Sequence, residues 1–270
     1  MRIIKPLMTE QLGTSLNWQT TSHDQTLCLN KSELHIWWLP LNINAHQKEY
    51  TLNLLSERQH NKYQRQTNEE KQNAYLAGRY FLLTLLAHYS NCKPADVKLA
   101  YSELNKPSLI TSTNSNTSDN IQFNFTDTNI DNQHYGLFAF CRQHLVGVDL
   151  ESCNRSSDFE KIARRRFSET ELSYASNTDG TINHQRCIAI WTRKEAYGKA
   201  IGKGINFQMN QRNLVSDDYV NTPFSYDFND GEHDWRLLQL QPSPKFVASI
   251  VHQSHQNLEI KAFNRPYQIA

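Results

Sequence analysis

The chain has 270 residues, 38% hydrophobic and 20% charged, a composition typical of a folded protein. Its formal net charge of +1 excludes an overall field that would draw it to nucleic acid or to a membrane, so any anion site must be local. No window is apolar enough to span a membrane, and the N-terminal residues predict no secretory signal. Five widely spaced cysteines without a CxxC pair predict a reduced cytoplasmic protein with neither disulfides nor structural zinc.

The first half of the chain predicts a strand, a long helix and two further strands. Glu33 to Leu39 is rich in aromatic and branched residues and is closed by Pro40, which predicts a strand. From Asn68 onward, apolar residues recur at helical spacing behind an acidic first turn. Gly78 inside this helix indicates close packing or a ligand contact. Residues 111–120 predict an exposed polar loop, and the alternating segments IQFNF and GLFAFC predict strands.

The second half predicts a strand in LVGVDLE, helices over about 158–173 and 184–201, and a last group of strands. The second helix ends at Gly202, a favourable C-cap residue. The final strands are WRLLQLQ, KFVASIV and LEIKAF. This order predicts an α+β fold of two units in tandem, with a boundary near Leu145.

Two acids project together from the LVGVDLE strand. Strand geometry places Gly147, Asp149 and Glu151 on one face and the apolar residues on the other. Carboxylates this close repel unless a cation lies between them, and oxygen ligands suit magnesium. Taken alone, the D-x-E pattern is explained more simply by two solvated acids on an exposed strand face.

The helix WTRKEAYGKAIGKG carries Trp191, Glu195 and Lys199 on one face, at i, i+4 and i+8. An amphipathic helix with one Glu–Lys pair explains the charges, but not the tryptophan on their stripe or the Gly-Lys-Gly that follows. A carboxylate that completes a metal site beside a phosphate-binding lysine explains more. Lys194 lies about 100° around the helix from Glu195, which favours a structural or partner-facing role.

Together these segments resemble the surfactin-type 4′-phosphopantetheinyl transferases. Residues 147–151 match the family's G-hydrophobic-D-x-E strand, and residues 191–199 match its W-x-x-K-E-(A/S)-x-x-K helix. Residues 167–171 match the F-S-x-x-E segment between them. Either half alone is a weak signal, but the ordered combination is specific. Weaker matches extend the resemblance to about residues 55–205, through Asn105-Lys106-Pro107 and the segment FNFTDT.

The resemblance implies two similar α+β lobes related by a pseudo-twofold axis, with the active site in the cleft between them. Residues 1–144 would form the lobe that contacts coenzyme A, and residues 145–270 the lobe with the metal and catalytic residues. The implied enzyme is a holo-[carrier protein] synthase, most simply a monomer. With Mg²⁺ it transfers the phosphopantetheine arm of coenzyme A to a serine of an apo acyl or peptidyl carrier protein, releasing 3′,5′-adenosine bisphosphate.

The resemblance also assigns roles to individual residues. Asp149, Glu151 and Glu195 match the metal-binding carboxylates, and Glu195 is in addition a candidate general base. Lys199 matches the lysine near the pyrophosphate. The predicted coenzyme A contacts are Arg58, Lys62, Arg79, Lys106, Asn124 and Thr126. For the first two of these, an ordinary solvated helix face is an equally simple interpretation.

One residue departs from the family pattern, because Asp127 stands where the family has a histidine associated with phosphate binding. An aspartate there repels phosphate unless a cation such as His134, Arg142 or Lys203 compensates it. Separately, the three arginines at 164–166 fit either a docking patch for an acidic carrier protein or a solvated helix turn.

Two other functions compete with transfer. A paralogue that binds coenzyme A or a carrier protein without catalysis is favoured only by Asp127, and the intact set of three acids and Lys199 argues against it. A metal-dependent nucleotide phosphohydrolase would also use acids and lysines, but the sequence contains no recognisable hydrolase motif. The sequence leaves the carrier protein and its pathway open.

Overall fold

The computed structural model describes residues 11–20, 27–110, 120–155, 158–204, 208–216, 224–253 and 258–265. The elements up to residue 142 are β1 (Trp18–Thr20), β2 (Glu33–Pro40), α1 (Ala45–Leu54), α2 (Glu57–Gln64), α3 (Glu69–Ser90), β3 (Leu99–Tyr101), β4 (Pro107–Leu109), β5 (Ile121–Ile130) and β6 (Gln133–Arg142). Those that follow are β7 (Val146–Ser152), α4 (Phe159–Arg166), α5 (Glu169–Ala175), α6 (His184–Ala200), β8 (Ser225–Asn229), β9 (Asp234–Ser243), β10 (Phe246–Gln253) and β11 (Glu259–Arg265).

The fold is α+β, as predicted, and has two lobes that each pair a sheet with a long helix. The first sheet has the order β1-β11-β2-β6-β5, and α3 packs on one of its faces. The second has the order β7-β10-β9-β8, and α6 packs on it. The remaining faces of the two sheets share one apolar core, which includes Ile36 and Leu137 from the first sheet and Val148 and Ile250 from the second. The helices therefore lie on the outside of a two-sheet sandwich.

Side-chain caps define the ends of the predicted helices. Asn68 accepts from the backbone N–H of Lys71 at 2.9 Å to begin α3, and Asn91, in the left-handed conformation, is the C-cap of this helix. The helical block predicted over 158–173 is divided in two, because Ser168 is an N-cap with Glu171 as its capping-box partner, and the chain separates there into α4 and α5. Residues 111–119 of the predicted polar loop lie outside the described residues.

Both ends of the described chain cross to the other lobe. Before β1, Thr14 pairs with β9, its N–H donating to the carbonyl of Gln239 at 2.9 Å. At the other end, β11 runs parallel to β2 in the first sheet. The predicted division between residues 144 and 145 falls between β6 and β7, which lie in different sheets, but β11 lies with the first lobe. Among the helices of the described ranges, none is both long and apolar enough to cross a membrane.

Candidate active site

Gly147 brings α6 into direct contact with β7. A Cβ atom at this position would lie 2.1 Å from the carbonyl oxygen of Ala196 and 2.3 Å from the nitrogen of Ala200. The strand face that carries the acids is therefore covered by α6, and Asp149 is only 4% exposed. The simpler explanation of the D-x-E pattern taken alone, two solvated acids on an exposed face, is therefore wrong; glycine is needed here because a helix backbone occupies the space of its side chain. This close approach places the α6 residues Glu195 and Lys199 beside β7.

A polar contact joins the two lobes at Lys199. Its Nζ donates to Oδ1 of Asp149 at 2.7 Å and to Oγ1 of Thr126, on β5, at 3.2 Å. The Thr126 hydroxyl also lies 3.4 Å from the same Asp149 oxygen. Two residues earlier, on the same face of β5, the Asn124 side chain accepts from the N–H of Val148 at 3.0 Å. The predicted residues of the two lobes thus meet where β5, β7 and α6 converge.

Burial and a neighbouring negative charge raise the pKa values of two carboxylates in the site. Burial, and then the negative charge of Asp149, raise the pKa of Glu151 to about 7, while Arg155 and Lys199 oppose the rise. The same two causes, in the same order, raise the pKa of Glu195. Arg155 contacts Glu151 directly. Because the charge of Asp149 raises the pKa of both Glu151 and Glu195, a cation close to these carboxylates would offset the repulsion between them.

The three carboxylates predicted to bind a metal are not arranged around one common position in this structure. Within the part of the chain that the structure describes, no group of three or more His, Cys, Asp or Glu side chains is placed to hold a metal ion. Asp149 is instead paired with Lys199, and Glu151 with Arg155. Oδ2 of Asp149, however, is buried and has no hydrogen-bond partner among the described atoms. A buried carboxylate oxygen with free lone pairs and two neighbouring acids is a donor set that fits a hard divalent cation.

A basic cleft of about 220 Å³ opens next to these acids. Lys199 lies at its boundary with the acids, and four of the predicted coenzyme A residues line it: Lys62, Arg79, Lys106 and Asn124. Lys62 also lines an adjacent groove together with Arg58 and Arg65. The structure thus gathers residues that are far apart in sequence along one continuous path from the acids to a cationic groove.

Arg79 and Lys62 have the properties of an anion site. Arg79 is 8% exposed, its guanidinium lies 4.7 Å from the ring centroid of Phe125 and 5.2 Å from that of Tyr75, and its Nε has no hydrogen-bond partner among the described atoms. Burial, followed by the charges of Arg79 and Arg58, lowers the pKa of Lys62. An anion in the cleft would offset the repulsion among these crowded cations.

Two other predicted ligands of coenzyme A hold the β3–β4 hairpin in this structure. Arg58 donates to the side chain of Asn105, and its guanidinium lies 4.3 Å from the ring centroid of Tyr101. Lys106 donates from Nζ to the carbonyl of Ala200 at 2.6 Å, and burial lowers its pKa to about 8. The hairpin is therefore fastened to both lobes at the mouth of the cleft. A direct contact of either side chain with coenzyme A stays a prediction.

Asp127 points away from Lys199. Strand alternation puts it on the opposite face of β5 from Asn124 and Thr126, and its side chain is 54% exposed. Its carboxylate lies 3.8 Å from Nδ1 of His134, whose Nε2 is 3.1 Å from Glu70. The neighbouring Asp127, with a smaller effect from Glu70, raises the pKa of His134. Of the cations predicted to compensate Asp127, His134 is the one found beside it among the described residues.

Gly78 does not pack as predicted. A Cβ atom at this position would meet no described heavy atom within 4 Å, so the predicted close packing is wrong. All five cysteines are free thiols in the structure.

Lys194 has a structural role that the sequence left open. It is fully buried, and its Nζ lies 2.7 Å from Glu171 of the F-S-x-x-E segment. The same ammonium donates to the carbonyls of Met209 at 2.5 Å and Arg212 at 2.7 Å. The segment thus caps α5 and anchors α6 to the following loop. Its S-x-x-E pattern is a capping-box signature, so the cap was detectable from sequence, whereas the ion pair was not.

Sequence comparisons agree with this geometry. Residues 145–251 match the model of the 4′-phosphopantetheinyl transferase superfamily. The 4′-phosphopantetheinyl transferase HetI of Nostoc sp. is 28% identical over 224 residues, which cover 83% of this chain and 89% of HetI. The protein slr0495 of Synechocystis sp., provisionally named for the same activity, is 29% identical over 180 residues, which cover 65% of this chain and 66% of slr0495. A phosphopantetheinyl transferase of Thraustochytrium sp. is 27% identical over 157 residues, which cover 53% of this chain and 51% of the Thraustochytrium protein.

Proposed function

We propose that this chain is a 4′-phosphopantetheinyl transferase of the surfactin type, which moves the phosphopantetheine arm of coenzyme A to a serine of an apo acyl or peptidyl carrier protein. One observation carries the proposal: Lys199 bonds both to the acidic strand of one lobe, at Asp149, and to β5 of the other, at Thr126, where a basic cleft begins. The superfamily match covers the acids and Lys199, and the names of the relatives support the same activity.

Coenzyme A fits the cleft by charge. Its pyrophosphate would lie against Lys199, with the Asn124 amide and the Thr126 hydroxyl as neutral donors. Its 3′-phosphate would be held by Arg79 and Lys62, whose charges lack a described carboxylate partner in the cleft. Arg58 and Lys106 would complete this wall through the β3–β4 hairpin.

The reaction requires one proton transfer and one phosphoryl transfer. The serine hydroxyl of the carrier protein loses its proton to Glu195, directly or through a water molecule, as its oxygen bonds to the β-phosphorus. The bond from that phosphorus to the bridging oxygen breaks, and 3′,5′-adenosine bisphosphate leaves. The raised pKa of Glu195 makes it a stronger base than an ordinary carboxylate. Lys199 offsets the negative charge that develops on the phosphoryl oxygens.

Magnesium fits the carboxylates of the site. Asp149, through its free Oδ2, would hold it together with Glu151 and Glu195. When bound, the ion would supply further positive charge at the pyrophosphate, worth several kcal/mol of transition-state stabilisation. Glu151 contacts Arg155 through its side chain, so it would exchange this contact for one with the ion.

The proposal extends to the setting of the enzyme. The chain would act in the cytoplasm as a monomer, with residues 1–144 contributing the coenzyme A contacts and residues 145–270 the metal and catalytic groups. Neither nucleic acid nor a membrane is a proposed partner, in agreement with the net charge of +1.

The test is incubation of the protein with coenzyme A, Mg²⁺ and a panel of apo carrier proteins, followed by intact-mass measurement. We expect at least one carrier to gain a single phosphopantetheine arm, with stoichiometric release of 3′,5′-adenosine bisphosphate. A panel of acyl and peptidyl carriers that bind the protein but gain no mass would overturn the proposal.

A further inference from the structure

Arg155 follows β7 in a tight turn whose two ends are both held. Its backbone N–H donates to the carbonyl of Ser152, the last residue of β7, at 3.1 Å. Its own carbonyl accepts from Nε2 of His184, the first residue of α6, at 3.0 Å. The Arg155 side chain therefore starts from a backbone position that is fixed to both elements carrying the acids.

The guanidinium of Arg155 has two partners. It contacts the carboxylate of Glu151, whose side chain is 12% exposed. It also lies 5.8 Å from the ring centroid of Phe159, which is buried in the core of the second lobe. A cation near an aromatic face is attracted to the negative potential of the ring, so both partners favour the same guanidinium position.

The positive charge of Arg155 acts on two of the three acids. Burial and the charge of Asp149 raise the pKa values of Glu151 and Glu195, and Arg155 opposes both rises together with Lys199. The two cations differ in their surroundings. Lys199 lines the basic cleft, whereas Arg155 is not among the described residues that line it. Arg155 thus balances charge on the acids without a place in the proposed coenzyme A site.

A metal ion and Arg155 compete for Glu151. Two positive charges drawn to one carboxylate repel each other, and the repulsion is stronger where the carboxylate is largely shielded from water. Lys199 is a smaller obstacle to the ion, because it bonds Oδ1 of Asp149 and leaves the buried Oδ2 with no hydrogen-bond partner among the described atoms. An ion can therefore approach Asp149 beside Lys199, but it reaches Glu151 only as Arg155 withdraws.

We propose that Arg155 competes with the divalent cation for Glu151 and thereby sets how tightly the site binds the metal. The inference rests on the proposed function, which places Mg²⁺ on the three acids. Without metal, the guanidinium compensates the partly buried charge of Glu151. When the ion binds, the guanidinium leaves the carboxylate and the ion takes its place. Arg155 is therefore a residue that tunes metal affinity and does not touch the substrate.

The test measures binding of Mn²⁺, a probe for the magnesium site that electron paramagnetic resonance detects, to the protein without coenzyme A or carrier. Wild type, Arg155→Gln, Arg155→Lys and Arg165→Gln are compared at pH 8, above the pKa of about 7 for Glu151. Arg165, an exposed residue of the neighbouring helix α4, is the matched control because its loss changes the net charge equally. Thermal melting in EDTA verifies the fold, and transfer to apo carriers is assayed separately.

We expect Arg155→Gln to lower the Kd for Mn²⁺ roughly tenfold, because it removes a cation in direct contact with the ligand. Arg155→Lys keeps the charge and should fall between wild type and Arg155→Gln, and Arg165→Gln should stay within about twofold of wild type, since exposed charges are screened. Damage to the local structure would raise the Kd, so the expected direction separates competition from a merely structural role.

An unchanged or higher Kd in folded Arg155→Gln would overturn the competition, and transfer by the wild type would then leave the proposed function intact. A tighter Mn²⁺ site in Arg155→Gln, together with a wild type that modifies no carrier, would support the competition and overturn the function. Absence of Mn²⁺ binding in all four proteins would overturn both the competition and the proposed magnesium site.

Discussion

Replacing Gly147 with alanine should disrupt catalysis through geometry alone. The new Cβ would lie 2.1 Å from the Ala196 oxygen and 2.3 Å from the Ala200 nitrogen, both backbone atoms of α6 that no side-chain rotation can move. Side-chain Cβ atoms essentially never approach other heavy atoms within 3.0 Å, so α6 must shift from β7 by about 1 Å to accommodate it.

The shift of α6 would displace two residues of the proposed active site. Glu195 and Lys199 each immediately precede one of the α6 residues that the new methyl group would strike. The contact of 2.7 Å between Lys199 and Asp149 would lengthen out of hydrogen-bonding range. A displacement of this size costs about 10²-fold in turnover, and overpacking of a core costs about 1–3 kcal/mol of stability.

The assay is the steady-state rate of transfer together with the free energy of unfolding from urea denaturation. The control is Gly78→Ala in α3, where the added methyl group meets no described atom within 4 Å. This control should retain activity and gain about 0.5–1 kcal/mol, because alanine favours a helix more than glycine does. If Gly147→Ala kept its turnover within a few-fold of wild type and its stability unchanged, the reasoning about α6 would be refuted.

Three further predictions concern the acids and the cleft. Glu195→Gln should lower kcat on the order of 10²-fold with little change in carrier KM, and a change in carrier KM alone would make Glu195 a docking residue. Arg79→Ala should weaken binding of coenzyme A more than of its 3′-dephospho form, by roughly 1.5–3 kcal/mol, while equal losses would place Arg79 away from the 3′-phosphate. The pKa of Glu151 rises from 4.5 to about 7 on folding, so its burial costs stability increasingly as pH rises through that window. In EDTA, Glu151→Gln should therefore exceed wild type in stability by about 3 kcal/mol at pH 8 and by little at pH 4.5, and a pH-independent difference in denaturant titrations would contradict this.

Local patterns of the sequence predicted the local structure well. The α3 helix follows from the Asn68 cap, the acidic first turn and the apolar spacing, all of which act within a few residues. The D-x-E strand and the W-x-x-K-E-A-x-x-K helix were also predicted, and a resemblance joined them into one site. In the structure, Lys199 contacts Asp149 across an interval of 50 residues.

Contacts between distant segments were beyond prediction from one sequence. The assignment of β11 to the first sheet depends on pairing with β2, more than 200 residues away, and no local pattern specifies such pairing. The same limit applies to Glu171 and Lys194, whose burial as an ion pair depends on the packing of α5 against α6. The cover of β7 by α6 was beyond prediction for the same reason, because alternation of side chains identifies two faces of a strand but not what covers each of them.

The most direct test of the central claim is the intact mass of an apo carrier protein after incubation with coenzyme A, Mg²⁺ and either wild-type protein or Asp149→Ala. Asp149 bonds Lys199 and has a free buried oxygen, so its loss removes both the proposed metal ligand and the partner of the lysine. We predict complete addition of one phosphopantetheine arm by the wild type, and none by a variant shown by circular dichroism to be folded. Transfer by folded Asp149→Ala at near the wild-type rate, or breakdown of coenzyme A by the wild type without any gain in carrier mass, would contradict the account.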